Sequence, residues 1–394
     1  MSSARRPEVL RRQKAWRREA RLRRLLARLR LATGAACALL LATILFTPVA
    51  VQGPSMLPTL REGDILVTAP LWLDPPDRHD LVIFQEPDTG VRVVKRVAGL
   101  PGEELWITPD GDLAVNGVLY RREVRGVDDL IPLVDTAGAA ADALLSLSES
   151  GFEARGLLWS LEPGVQASAR LRQPPRDGYL AGGVLHPGER PAVDLGIEVE
   201  YRLEAEDARV ELLIREGAEN FLLSLARRGR EVRLLRLPGA VLQTPEDPGV
   251  GEVLFEDRAA RAPAQGVLFL SNADQTLTAC VDGEFLFPPQ DYQPPAPLPL
   301  AGLPQGLHVE QAGVGGRGPL SLGRIRVGRD VFLEPSGLFG CSEPIRLAED
   351  EYFLLGDDPV LSRDSRIYGG VSRGHLQGVV VDRLWPRTPS GLGW

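Results

Sequence analysis

The chain has 394 residues, 44% of them hydrophobic and 25% charged, and carries a formal net charge of −8. Those values are those of a globular protein long enough for two domains of roughly 100–200 residues. Three cysteines and four scattered histidines offer no metal-ligand spacing, so neither a zinc site nor any other metal centre is expected.

The charge is unevenly spread. Residues 1–30 carry a net +10 and the remainder −18. Directly after the basic segment, residues 31–60 contain no charged side chain, and the apolar part, 31–51, is long enough to cross a hydrocarbon core of ~30 Å as a helix. The positive-inside rule then places 1–30 in the cytoplasm and everything after about residue 52 outside the cell membrane. A cleaved secretory signal is the competing reading, but the basic lead is long for an n-region and Pro48 is awkward for a small–x–small cleavage site. The arginines have a use at the anionic leaflet of the phospholipid bilayer, so no nucleic-acid partner is expected.

Beyond the span, residues 52–122 read as short strands between Gly, Pro and Asp punctuation: "GDILVTAP", "HDLVIFQEP", "GVRVVKRVAG", "GDLAVNGVLYRRE". Residues 123–190 read as an irregular connection with one helix-like piece near "AAADALLSLSESG". Alternation returns over 191–335, where strands spaced by turn signals predict an inserted antiparallel β-sandwich. Within it "SNADQTLTACVDGEFLF" resembles the strand–turn–strand unit of concanavalin-like or laminin-G-like jelly rolls, a resemblance that implies no binding residues, and the partner of this insertion is unknown. Residues 345–390 resume the style of 52–122 with "EYFLLGDD" and "QGVVVDRLWP". The fold class is therefore mainly β. Cys280 and Cys341 share the outer side, where they either pair or remain buried thiols.

Two lysines stand against 43 arginines, and only Lys95 lies on the outer side of the span. A guanidinium stays charged at any accessible pH, whereas an amine buried in a β-branched run such as "VRVVKRV" can lose its proton and act as a base. Ser55, in "GPSMLPTL" just past the span, needs such a base, because a free hydroxyl is hardly ionised at neutral pH. His79, His186, His308 and His375 fall in no nucleophile–base pattern, which leaves Ser55 with Lys95.

In this order behind an apolar span, "PSMLPTLREGD", "VVKRVAGLPGE" and "YFLLGDDPVLSRDSRIYGGV" strongly resemble the blocks of type I signal peptidases. The resemblance covers about residues 30–120 and 345–386 and implies an antiparallel β catalytic domain behind one transmembrane helix. It implies Ser55 as nucleophile, its backbone N–H in the oxyanion hole, and Lys95 as general base. Gly53 stands where some members carry an extra hydroxyl donor. Ser362 matches the serine that orients the lysine, Asp364 and Arg366 match a structural ion pair, and Met56 and Pro58 shape the loop beside the nucleophile. The usual Gly-Asp-Asn-Arg is here Gly356, Asp357, Asp358, Pro359, which puts the local turn and the charge near Lys95 in question. The implied activity is removal of signal peptides from preproteins at the membrane, after Ala-x-Ala, without a cofactor. Two other readings remain at this point: a Ser/Lys peptidase dedicated to one maturation substrate, and a degenerate, membrane-anchored binding protein that displays the sandwich.

Overall fold

The computed structural model describes residues 47–137 apart from residue 110, segments between 145 and 193, and residues 194–226, 231–238, 250–257, 263–294, 311–358 and 361–385, with positions 28 and 33. Strand β1 (Thr47–Ala50) pairs antiparallel with β2 (Ile65–Ala69), Thr47 opposite Thr68 and Ala50 opposite Ile65. The helix expected over 31–51 therefore does not extend past residue 46. Pro48 would break a helix interior, while the β-branched Thr47 and Val49 suit a strand, and an edge strand tolerates the missing proline N–H. The rest of that expected span, 31–46, lies outside the described residues apart from Thr33. Among the described residues no helix is long and apolar enough to cross a membrane.

Strands from both ends of the chain interleave in one antiparallel sheet. Its order is β1, β2, Leu376–Trp385, β3 (Leu81–Gln85), β4 (Arg92–Gly99), Glu351–Leu355 and Val371–Ser372. A smaller sheet runs Ile345–Arg346, Glu104–Ile107, Leu113–Val115, Val118–Leu119. Residues 52–119 and 345–385 thus share their hydrophobic clusters: Val51, Met56, Leu60, Leu66, Leu81 and Ile83 pack with Val380, and Val82, Phe84 and Val97 pack with Tyr352, Leu354 and Val379.

The intervening chain forms two facing antiparallel sheets. One centres on Leu195–Leu203 between Leu320–Arg329 and Gln265–Ser271, the other on Arg209–Glu216 between Glu219–Ala226 and Gln311–Arg317. Leu195, Ile197, Val199, Tyr201 and Leu203 face inward at a period of two and meet Val210, Leu212, Ile214, Phe221 and Leu223 from the opposite sheet. The stretch 123–190, expected to be irregular, supplies strands to both sheets. Ile131–Asp135 pairs with Leu320–Arg329, Leu158–Leu161 with the same strand, and Gln166–Leu171 with Gln311–Arg317. Leu145–Leu147, within the piece expected to be helical, is a strand beside Gln166–Leu171. Neighbouring strands decide these segments, since their own sequence alternates weakly.

Cys280 and Cys341 are both buried free thiols that sit in separate clusters, Cys280 with Phe269 and Cys341 with Leu105 and Phe353. The sandwich is fastened to the segments flanking the smaller sheet by the Arg122–Asp330 ion pair at 2.7 Å, a hydrogen bond from Gln275 Nε2 to Asp112 Oδ2 at 3.2 Å, and the Leu333 N–H on the Gly111 carbonyl at 3.0 Å.

Candidate active site

Ser55 lies in the loop joining β1 to β2. The Val51 N–H donates to the Asp64 carbonyl at 2.8 Å and the Gly63 N–H to the Val51 carbonyl at 3.0 Å, which closes the loop at its base. Met56 and Leu60 are sunk in the core and anchor it from within. Gly53 adopts φ +80°, a left-handed conformation that side-chain-bearing residues resist, and Leu57–Pro58 is a cis peptide bond. Asp64, itself buried, accepts from the Arg61 N–H at 3.0 Å and from Arg383 at 3.1 Å.

Lys95 comes from β4, where it stands opposite Val82. Residues opposite each other across an antiparallel pair share a face, as do neighbours two apart along a strand, so Val82, Val93 and Val97 surround the lysine. Its side chain is 2% exposed and its Nζ donates to Ser55 Oγ at 2.5 Å. Burial pulls the amine down to about 8, from the ordinary 10.5. Asp364, Asp357 and Glu86 work in the opposite direction and Arg366 adds to the lowering. The sequence expectation that Ser55 and Lys95 meet therefore describes the observed geometry.

Asp364 and Arg366 form a buried bidentate pair, Nε to Oδ1 and an NH2 group to Oδ2, both at 2.8 Å. Asp364 also caps the short helix Ser365–Tyr368 and accepts the Gly356 N–H at 3.0 Å. The pair thereby fixes the turn against which the nucleophile rests. A Cβ on Gly356 would overlap Ser362 Oγ and the Ser55 carbonyl oxygen. Gly356→Ala is accordingly expected to reduce any Ser55-dependent turnover by about 10–100-fold, since displacements of about 1 Å have effects of that size; steady-state kinetics on the folded variant measure it.

Ser362 makes no hydrogen bond to Lys95, which the resemblance implied. Its Oγ is buried without a hydrogen-bond partner, and the Lys95 amine bonds Ser55 alone among the described residues. The altered turn is also accounted for in part. The Asp358 N–H donates to the Ser55 carbonyl at 3.1 Å, and Asp358 Oδ1 accepts the Leu361 N–H at 2.9 Å, so the acid serves as a turn former; Pro359 lies outside the described residues.

Sequence reasoning missed Asp357 and Arg96. Arg96 grips Asp357 with two hydrogen bonds, at 3.0 and 2.7 Å, and gives a third to the His79 carbonyl at 2.8 Å. The only signal was an arginine beside Lys95 in a strand rich in valine. His79 itself bonds Tyr120 OH at 2.9 Å, and burial, with Arg122 next, holds its imidazole down to about 4.

A groove of about 400 Å³ opens beside Ser55, walled by Pro48–Gln52 on one side and Arg92–Val94 on the other, with Leu66 and Ile83 at its floor. Both walls are strand edges. β1 pairs only with β2 among the described strands, and Glu351–Leu355 covers β4 only at Arg96, Val97 and Gly99.

Residues 22–132 match the family model described as signal peptidase, peptidase S26, a stretch that holds Ser55 and Lys95 but not the block around Ser362. The chain is 38% identical over 82 residues to signal peptidase I of Bacillus licheniformis, covering 20% of this chain and 44% of that one. It is 31% identical over 103 residues to signal peptidase I of Pseudomonas aeruginosa, covering 22% and 36%. The aligned stretch thus spans less than half the length of each of these curated relatives. Among solved structures, the carbohydrate binding module CBM66 from Bacillus subtilis is similar at 7% identity and a TM-score of 0.31, over 47% of this chain and 94% of that one.

Proposed function

We propose that the protein is a membrane-anchored serine endopeptidase that removes N-terminal signal peptides from exported preproteins. The observation that carries this reading is the 2.5 Å contact between Ser55 Oγ and a lysine buried in an apolar strand face. The neutral Lys95 amine takes the Ser55 proton as the oxygen attacks the scissile carbonyl. The Ser55 N–H has no acceptor among the described residues, so it is available to the developing oxyanion. The ammonium then protonates the leaving amine. Neutral once more, Lys95 activates a water that hydrolyses the acyl-enzyme. Asp364 and Arg366 serve this chemistry through the Gly356–Asp358 turn.

The groove suits an extended peptide, which can add its backbone hydrogen bonds to the open edges of β1 and β4. Its apolar lining by Val49, Leu66, Ile83 and Val94 favours small uncharged side chains near the cut. Membrane placement rests on the charge-free segment before Thr47 and the +10 flank, with the site on the outer side.

A preprotein with an Ala-x-Ala site, incubated with purified full-length protein, tests the reading. Wild type is expected to release the mature N-terminus and Ser55→Ala to release none, the loss reaching at least about 10³-fold. Equal cleavage by the two proteins would end the Ser55 mechanism.

A further inference from the structure

We propose that Arg363 is a positioning residue for Lys95 which acts through Glu86, the buried acid that it clasps on the β3–β4 hairpin; the inference rests on the endopeptidase reading above. Arg363 stands between Ser362 and Asp364, in a block where the resemblance gives it no role. Its guanidinium reaches Glu86 Oε2 at 3.0 Å and Asp88 Oδ2 at 2.6 Å. One side chain thus ties the block held by Asp364 to the hairpin that carries Lys95. The two acids are not equivalent. Asp88 is more than half exposed, so water screens its pair and leaves it weak. The Glu86 side chain is only 9% exposed, and a carboxylate in the interior needs a countercharge. The Thr89 hydroxyl also donates to it.

Strand register places Glu86 within the field of Lys95. Val82 stands opposite Lys95, and Phe84 and Glu86 follow at a spacing of two, so the acid continues the face on which the amine lies. The Glu86 N–H donates to the Val91 carbonyl at 2.9 Å, so the pairing persists to that point. Three acids favour the Lys95 ammonium: Asp364, Asp357 and Glu86. Each is gripped by a guanidinium, Asp364 by Arg366, Asp357 by Arg96 and Glu86 by Arg363. Tyr368, beside Asp364, Glu86, Arg363 and Asp88, remains an uncharged phenol because burial raises it. Of the three arginines Arg363 alone is half-exposed, so it can be replaced without opening the core. A guanidinium stays charged throughout the range in which the amine titrates. Arg363 therefore occupies Glu86, which would otherwise draw on the Lys95 ammonium as its countercharge.

The test reads the Lys95 amine directly. The chain holds two lysines, Lys14 and Lys95, so full-length protein in detergent with isotope-labelled lysine gives two amine titrations by NMR, and Lys95→Met assigns them. Arg363→Gln is expected to raise the Lys95 amine by about half to one pH unit, less than a charge in direct contact would. Glu86→Gln should lower it, and the double variant should return it towards the wild-type value. Kinetics on an Ala-x-Ala peptide follow the same group. At pH 7 Arg363→Gln should acylate about threefold to tenfold more slowly, and by pH 10 it should match wild type, since the amine is then neutral in both. Arg363→Lys keeps a cation there and should retain the wild-type profile. A variant that merely loosened the hairpin would lose rate equally at pH 7 and pH 10. That result, or a Lys95 titration the same in wild type, Arg363→Gln and Glu86→Gln, overturns the inference while the endopeptidase reading stands. If wild type cleaves no peptide, that reading falls, and the titrations alone decide the role of Arg363.

Discussion

Lys95→Arg is expected to lower kcat/KM on a preprotein by at least about 10³-fold, and Lys95→Met by a similar factor. The two variants fail for one reason, the loss of a proton acceptor, yet they differ in charge. The wild-type pH profile reports the same group. With an amine at about 8, the neutral fraction is about a tenth at pH 7 and about nine tenths at pH 9, so acylation should climb about tenfold across that interval. Stability should move in the opposite sense from a usual salt-bridged lysine. The folded value lies below the unfolded one, so below pH 8 the native state must carry a buried ammonium that the unfolded chain solvates freely. That penalty is about 3 kcal/mol. It declines as pH rises from 8 and disappears above about 10.5. Lys95→Met should therefore unfold at a higher denaturant midpoint than wild type at pH 7, by about 2–3 kcal/mol, and lose that advantage near pH 10.5. An active arginine variant, or a methionine variant no more stable at pH 7, would contradict the buried neutral base.

How much of this was legible without a structure differs from residue to residue. Lys95 stood out because arginine fills nearly every other cationic position, and "VRVVKRV" already described a burying strand. The pairing of Ser55 with Lys95 then followed from elimination of the histidines. By contrast, "TPVA" is a short apolar run, and such runs fit the end of a membrane helix as well as an edge strand until a pairing partner is known. That partner, β2, decides the matter. The strands of 131–171 were illegible for the same reason, since Ile131–Asp135 is completed by a strand almost two hundred residues later in the chain. Ser362 shows the limit of motif transfer: the residue type is present beside the turn, but its hydroxyl makes no hydrogen bond to the amine.

Asp357→Asn is expected to weaken the fold and to move the acid limb of the pH–activity profile downward. Arg96 and Asp357 are 2% and 1% exposed, so removing the carboxylate charge takes from a buried guanidinium the acid it grips with two hydrogen bonds. Breaking one partner of such a pair destabilises by about 3–5 kcal/mol, measurable as a lower denaturant midpoint. The direction of the activity shift follows from the neighbours of Lys95. The Asp357 charge raises the amine, and only Asp364 raises it more. Neutralising Asp357 removes that support, so the amine should lose its proton at a pH below 8. Arg96→Met with Asp357→Leu should recover much of the stability, because well-packed apolar residues can replace a buried ion pair. It need not recover turnover. Asp357 sits between Gly356, which Asp364 holds, and Asp358, whose N–H fixes the Ser55 carbonyl. A stable double variant with low kcat would assign the pair to positioning Ser55, and one with full kcat would assign it to stability alone.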